Sequence, residues 1–136
     1  MPGHWEGDLL LVTVDSQVAT LVERTSRFLM LIRTESKQAT VVSKALAQRV
    51  TTLPEQLRKS LTWDRGSELA DHKKITVETG VKIYFCDPRS LWQRGSNENT
   101  NGLLRQYLPR GTNLSRFTQE ELDEVASRLT HVLGNL

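Results

Sequence analysis

Three acidic residues stand at comparable places beside short apolar segments of the 136-residue chain. Asp8 precedes the β-rich run 9–14, Asp64 ends another apolar run, and Glu98 follows the segment 82–87. Each one alone is most simply a solvated surface charge or a helix cap. As a set, however, they come from three separate elements that a single sheet could bring together.

Three converging carboxylates have a defined chemistry. They repel one another and stay ionised only where a cation neutralises them. Oxygen ligands without a neighbouring His or Cys favour Mg²⁺ or Mn²⁺ over zinc. Two such ions can hold the attacking and leaving oxygens of an in-line phosphoryl transfer, which needs no protein nucleophile. Asp8, Asp64 and Glu98 are therefore the candidate metal ligands.

A polar stripe shares the predicted helix of Glu98. Asn101 follows Glu98 by three residues and Arg105 by seven, so all three lie on one face of a helix. Because an amide and a guanidinium suit phosphate oxygens, we predict that Asn101 and Arg105 contact a phosphate backbone.

The local charge supports a nucleic-acid partner only weakly. The chain has a net charge of +2, but residues 82–116 carry six Lys or Arg against two acids, whereas residues 117–136 are acidic. Such an excess is more often a solvated face than a phosphate-binding one. Arg94, inside this basic segment, and Arg65, next to Asp64, complete the residues that we predict to bind DNA.

The elements that must position these residues can be read from hydrophobic periodicity. We predict an α/β fold: a mixed five-stranded sheet, with three antiparallel strands followed by two parallel ones, flanked by helices. In this reading Asp8 opens the first strand and Asp64 ends the fourth. The predicted strands are 9–14, 18–25, 27–34, 60–64 and 82–87; the helices run from Ser36, a possible N-cap, to near Pro54, over 97–108 and after Thr118, with a further helix between the last two strands.

The residues around the acids carry alternatives. Glu6 is either a group that supports Asp8 or a surface acid, while Trp5 and Trp63 favour core packing. His4 is not expected to bind metal. The decoy acids expected at turns or caps are Asp15, Asp71 and Asp87.

Bulk features limit the class of protein. The single cysteine, Cys86, excludes an internal disulfide, and no His or Cys cluster has zinc spacing. Neither a membrane-length apolar run nor a charged-then-apolar leader is present. These features lead us to expect a soluble intracellular protein.

Five segments together resemble the insertion-sequence-thirty family of bacterial transposases. They are GHWEGDLL (3–10), TLVERTSRFLML (20–31), LTWDRGSELADH (61–72), TGVKIYFCDPRS (79–90) and WQRGSNENTNGLLRQYLPRGTNLS (92–115). The 33 residues between Asp64 and Glu98 also match the spacing of the second and third acids in the family.

The resemblance implies a ribonuclease H-like DDE catalytic core over residues 1–116, followed by a C-terminal helix, 117–136. Asp8, Asp64 and Glu98 would be catalytic and would bind two Mg²⁺ or Mn²⁺ ions. The implied activity is cleavage and strand transfer of DNA, at transposon ends and target, by a homo-oligomer assembled on DNA. The implied location is the bacterial cytoplasm, at the nucleoid, with no membrane partner.

The sequence also departs from the family. Leu91 stands where the family usually has Pro, the upstream helix-turn-helix region is missing, and the end of the chain diverges. We therefore expect a chain truncated at both ends. A catalytically inactive remnant that binds DNA or a partner is the alternative to an active transferase, and ribonuclease H activity on RNA–DNA hybrids is a third.

Overall fold

The predicted order of strands and helices is confirmed. The computed structural model describes residues 2–13, 16–63, 69–85 and 95–134, with the backbone alone for 95–99 and 133–134. In this part of the chain the strands are β1 (His4–Thr13), β2 (Ser16–Glu23), β3 (Leu29–Thr34), β4 (Ser60–Trp63) and β5 (Lys82–Phe85). The helices are α1 (Ala39–Val50), α2 (His72–Thr79), α3 (Gly95–Leu104) and α4 (Gln119–Gly134), with single 3₁₀ turns at Glu55–Leu57 and Leu114–Arg116.

All five strands form one mixed sheet in the order β3-β2-β1-β4-β5. The β1–β2 and β2–β3 pairs are antiparallel, and the β1–β4 and β4–β5 pairs are parallel. The central strand, β1, is therefore the point where the two kinds of pairing meet. The predicted α/β class and the predicted division into three antiparallel and two parallel strands are confirmed.

Each face of the sheet has its own core. On one side, which we call the α1 face, Leu21 and Ile32 of the sheet pack with Val42, Leu46 and Val50 of α1. On the other side, the α4 face, strand residues pack with Leu104 and Leu108 near α3 and with the apolar stripe of α4, Leu122, Ala126 and Leu129. Alternate residues of β1, β2 and β3 thus enter different cores, whereas β4 and β5 contribute only to the core of the α1 face.

Several predicted boundaries were wrong, among them the starts of β1 and α1. β1 begins at His4, so Asp8 lies within the strand and does not open it. The strand extends backwards because His4 and Trp5 pair with Ser60 and Leu61 of β4, a contact that a local apolar pattern does not reveal. Likewise α1 begins at Ala39, and Ser36 accepts a hydrogen bond from the Gln38 amide ahead of the helix.

Two helix ends concern the site. α3 begins at Gly95, two residues before the predicted start, and ends at Leu104, four residues before the predicted end. The Thr118 hydroxyl accepts a hydrogen bond from the Glu121 amide at 3.1 Å, which confirms the predicted cap of α4. Since α4 contacts β3 and shares a core with the sheet, it completes the α4 face. The boundary between residues 116 and 117 stays a prediction.

None of the helices in the described part of the chain is both long and apolar enough to cross a membrane.

Candidate active site

Asp8 lies in the middle of the sheet. It is half-buried on the α4 face and pairs with Thr20 of β2, whose hydroxyl donates to the Asp8 carbonyl at 3.3 Å. Asp8 Oδ1 accepts a hydrogen bond from the Leu9 amide at 2.8 Å. Asp8 Oδ2 accepts one from Asn101 Nδ2 at 3.0 Å. Both carboxylate oxygens are therefore oriented by a donor.

Asn101 joins α3 to β1. The helix rests on β1 and β2, where the fully buried Thr100 and Leu104 anchor it. The Asn101 Oδ1 atom is buried, and it has no hydrogen-bond partner among the described residues. The side chain that the spacing assigned to DNA thus contacts the candidate catalytic carboxylate, and its contact with DNA stays a prediction.

Arg105 continues the same stripe one turn further along. Its Nη2 donates to the Leu11 carbonyl at 2.8 Å, whereas its Nη1 is buried and has no partner in the part of the chain described. Burial lowers the pKa of the Arg105 guanidinium, and repulsion from Arg110 lowers it further. Because arginine stays protonated over any ordinary pH range, a fixed cation lies near the end of β1.

Gly7 and Trp63 fix β4 beside β1. A Cβ at Gly7 would lie 2.5 Å from Trp63 Cε3 and 2.9 Å from Leu21 Cδ2, so only glycine leaves room for the indole ring. Trp63 is fully buried, which confirms its predicted core role. The role of Gly7 was missed, although a glycine inside a strand pattern is a signal of close approach.

Glu6 lies two residues before Asp8 on the same face of β1. Its side chain is only 3% exposed, and Glu6 pairs with Thr62 of β4. The alternative of a surface acid was therefore wrong. Glu6 is a buried carboxylate beside the candidate site, which favours the supporting role.

The other predicted site residues have different outcomes. Glu98 lies in α3, three residues before Asn101, but its side chain is not among those described. Asp64, Arg65 and Arg94 lie outside the described residues, as do Asp15, Cys86, Asp87 and Leu91. Asp71 directly precedes α2 and makes no side-chain cap hydrogen bond.

The donor set around Asp8 suits a hard cation. Among the described residues no group of three or more His, Cys, Asp or Glu could hold a metal. What is described is a carboxylate in contact with an amide whose oxygen is buried and unpartnered. Each carboxylate oxygen has two lone pairs, so one hydrogen bond leaves it able to bind Mg²⁺ or Mn²⁺.

Residues 1–90 match the family model described as the integrase core domain. The chain belongs to this family. The integrase core domain shares its fold with a chain in the cryoEM structure of a simian T-cell lymphotropic virus intasome in complex with the PP2A regulatory subunit B56 gamma. The TM-score is 0.66 at 17% identity, covering 93% of this chain and 47% of that one, so the predicted ribonuclease H-like fold is confirmed.

Two of the curated relatives are bacterial transposases. This integrase core domain is 57% identical over 129 residues to transposase InsI of the insertion sequence element IS30A of Escherichia coli, which covers 95% of this chain and 34% of that protein. It is 50% identical over 130 residues to the IS1086 transposase of Cupriavidus metallidurans, 95% of this chain and 38% of that protein. The predicted resemblance to the insertion-sequence-thirty family is confirmed. The chain spans about a third of the length of these relatives.

Proposed function

We propose that this integrase core domain catalyses metal-dependent cleavage and strand transfer of DNA during transposition. Asp8, Asp64 and Glu98 are the proposed catalytic residues and the ligands of two Mg²⁺ or Mn²⁺ ions. One observation carries the proposal: Asp8 is hydrogen-bonded to Asn101, one helical turn beyond Glu98 in α3. The helix with the third acid is thus attached to the strand with the first.

The parallel pairing of β1 with β4 supports a position for the second acid, Asp64, beside Asp8. The last described pair between β1 and β4 is Gly7 with Trp63, and the next residues in the chain are Asp8 and Asp64. Residues that pair in a parallel ladder point to the same face. We therefore propose that Asp64 joins Asp8 on the α4 face.

The chemistry follows from these positions. In cleavage, a water oxygen forms a bond to phosphorus while the bond from that phosphorus to the DNA 3′ oxygen breaks; water loses a proton to the solvent and the 3′ oxygen takes one up. In strand transfer, the freed 3′-hydroxyl oxygen loses its proton and forms a bond to a target phosphorus, while the bond from that phosphorus to the target's own 3′ oxygen breaks and leaves a 3′-hydroxyl on the target strand. Bound Mg²⁺ would activate the attacking oxygen and neutralise the leaving one. Asp8 is held by the Leu9 amide and by Asn101, so little reorientation is needed when charge develops.

Arginine and amide side chains around these acids would position the DNA. Arg65, Arg94 and Arg105 are proposed to contact its phosphates, and Asn101 would do so through the second N–H of the Nδ2 group that donates to Asp8. The proposed substrates are transposon ends and a target DNA, bound by a homo-oligomer at the bacterial nucleoid. The names of the relatives, transposases of insertion sequences, favour this substrate class.

Nicking of supercoiled plasmid in Mn²⁺ tests the proposal. Asp8→Asn, Asp64→Asn and Glu98→Gln should each reduce nicking by about a hundredfold or more, the effect of removing a group that stabilises the transition state. Asp71→Asn, at an exposed acid before α2, is the matched control and should nick as the wild type does.

Three outcomes count against the proposal. Retained activity in Asp8→Asn would exclude Asp8 as a catalytic residue. Equal nicking by all five proteins would indicate a contaminating nuclease. If none of the five proteins nicks DNA, the alternative of a catalytically inactive remnant is favoured.

Thermal melting should accompany each assay, since a metal that binds Asp8 should raise Tm in the wild type and not in Asp8→Asn.

A further inference from the structure

A second site lies on the α4 face, towards the starts of the parallel strands. It is a groove of about 610 Å³ that we call the basic groove, and its floor consists of alternate residues of β1, β4 and β5. Ser60 and Thr62 of β4 pair with Lys82 and Tyr84 of β5, so these four share one face. Helices α3 and α4 pack on β1, β2 and β3, and Tyr84 stays 54% exposed.

The lining of the basic groove is cationic. Arg24, Arg58, Lys59 and Lys82 line it, together with His4, and no carboxylate does so among the described residues. None of these side chains forms an ion pair with a described residue. The ion pairs among the described residues are Arg49–Asp123, Lys74–Glu78 and Arg128–Glu124. Clustered cations of this kind repel one another, and a bound anion would relieve that repulsion.

Two acids lie close by, and both are buried. Glu6 and Glu23 are 3% and 2% exposed, and the Glu23 carboxylate accepts hydrogen bonds from the amides of Gly3, Thr25 and Ser26. Arg58 is positioned by a hydrogen bond from its Nη1 to the Thr79 carbonyl at 3.3 Å. The described lining of the groove is therefore positively charged, and a hydrogen bond holds Arg58 in position.

The shape of the groove indicates the kind of anion. Its floor spans three neighbouring strands, about 10 Å from β1 to β5, which suits one nucleic-acid strand better than a duplex. An exposed aromatic ring beside clustered cations is typical of surfaces that bind single strands, because bases stack on the ring while the cations follow the phosphates. Thr62, in the groove, pairs with Glu6, which is two residues from Asp8 and about 7 Å along β1.

We propose that the basic groove binds a single-stranded segment of DNA, with Arg24, Arg58, Lys59 and Lys82 on its phosphates and Tyr84 stacked on a base. The inference rests on the proposed function, because this segment would adjoin the phosphodiester that reacts at Asp8. The groove thus extends the candidate active site across the open part of the α4 face.

Equilibrium binding without catalysis tests the groove. A fluorescein-labelled 20-nucleotide single strand and its duplex are titrated with the 136-residue chain in EDTA, and anisotropy is recorded at several salt concentrations. Lys82→Glu and Arg24→Glu should each weaken single-strand binding about tenfold and lower the slope of log K against log salt by about one unit. Tyr84→Ala should weaken single-strand binding about tenfold and leave duplex binding unchanged.

Matched variants away from the groove are the controls. Lys37→Glu changes the same charge before α1, and Tyr107→Ala removes another exposed tyrosine; both should change affinity less than twofold. Lys82 and Tyr84 are exposed, so their variants should keep the wild-type Tm, and Lys82→Ala serves as a second variant at the same position.

The outcomes separate the groove from the catalytic proposal. Wild-type affinity in both charge reversals would overturn the groove, whatever the nicking assay gives. Equal losses for duplex and single strand, with no effect of Tyr84→Ala, would overturn its single-strand selectivity. Loss of single-strand binding in the groove variants, with no nicking by any protein, would support the groove and count against the proposed function.

Discussion

The two faces of the central strand differ in kind. On the α1 face, β1 contributes Trp5 and Leu9 to the core, with Gly7 between them. On the α4 face, the same strand presents Glu6 and Asp8 before it returns to apolar residues at Leu10 and Val12. Because successive residues point to opposite faces, one strand can anchor the fold with one set of side chains and carry a site with the other.

Different kinds of contact position the neighbouring elements on the two faces of the sheet. The α1 face positions β4 through contact between Gly7 and the Trp63 ring, which depends on shape. The α4 face positions α3 at Asp8 through a hydrogen bond from Asn101, which depends on polar geometry. Changes on the first face should act mainly on stability, and changes on the second should act on activity as well.

Truncation of one buried leucine on each face tests this separation. Leu46 of α1 and Leu104 of α3 are 1% and 0% exposed, so Leu46→Ala and Leu104→Ala should each lower the free energy of unfolding by about 2–5 kcal/mol in urea titrations. Under conditions where both variants remain folded, Leu104→Ala should nick DNA more slowly than Leu46→Ala, because α3 carries Glu98. Equal nicking rates would show that the faces are not functionally distinct.

Gly7→Ala should break the contact that fixes β4. Its methyl group would lie 2.5 Å from the Trp63 ring, and the required shift should cost about 3 kcal/mol of unfolding free energy. The control is Gly102→Ala in α3, where an added Cβ meets no atom within 4 Å. This substitution should stabilise the helix by about 0.5–1 kcal/mol, because alanine has a higher helix propensity than glycine. Wild-type stability of Gly7→Ala, measured by urea unfolding, would contradict the proposed packing.

Glu23, which pairs with Trp5 and points to the α1 face, provides a smaller, pH-dependent test. Burial raises its pKa, but hydrogen bonds from the amides of Ser26, Thr25 and Gly3 outweigh this and lower it below its usual value of 4.5. A lowered pKa stabilises the fold above pH 4.5 and loses that contribution as the pH falls through the folded-state value. Glu23→Gln should therefore cost about 1–2 kcal/mol at pH 7, and the gap to the wild type should narrow towards pH 3. A gap that is constant with pH would contradict this account.

The order of strands and helices could be predicted because the hydrophobic pattern that indicates each element lies within a short stretch of sequence. The run at 9–14 and the helix stripe at Leu122, Ala126 and Leu129 show periodicities that one window of sequence reveals. The start of β1 could not be predicted in this way. It depends on pairing with β4, more than fifty residues away, and Glu6 interrupts the apolar pattern there.

The contacts of Asn101 and Arg105 could not be predicted from their spacing. Spacing placed Asn101 and Arg105 on one face of the predicted helix with Glu98 and assigned both to a phosphate backbone; in the structure Asn101 lies in α3 and Arg105 directly follows it. In the structure they donate to Asp8 Oδ2 and to the Leu11 carbonyl. A helical stripe says which residues lie together; what lies opposite depends on where the helix docks on the sheet.

Asn101→Ala tests that docking and has the smallest expected effect on stability. Loss of one hydrogen bond to a half-buried carboxylate should change the free energy of unfolding by about 1 kcal/mol. If Asn101 positions Asp8, the rate of nicking at saturating DNA should fall about tenfold while DNA affinity stays the same, because the interaction supports the transition state and not ground-state binding. If Asn101 contacts phosphate instead, affinity and its salt dependence should fall at an unchanged saturating rate. Gln106→Ala, at an exposed residue just beyond α3, is the control and should alter neither quantity.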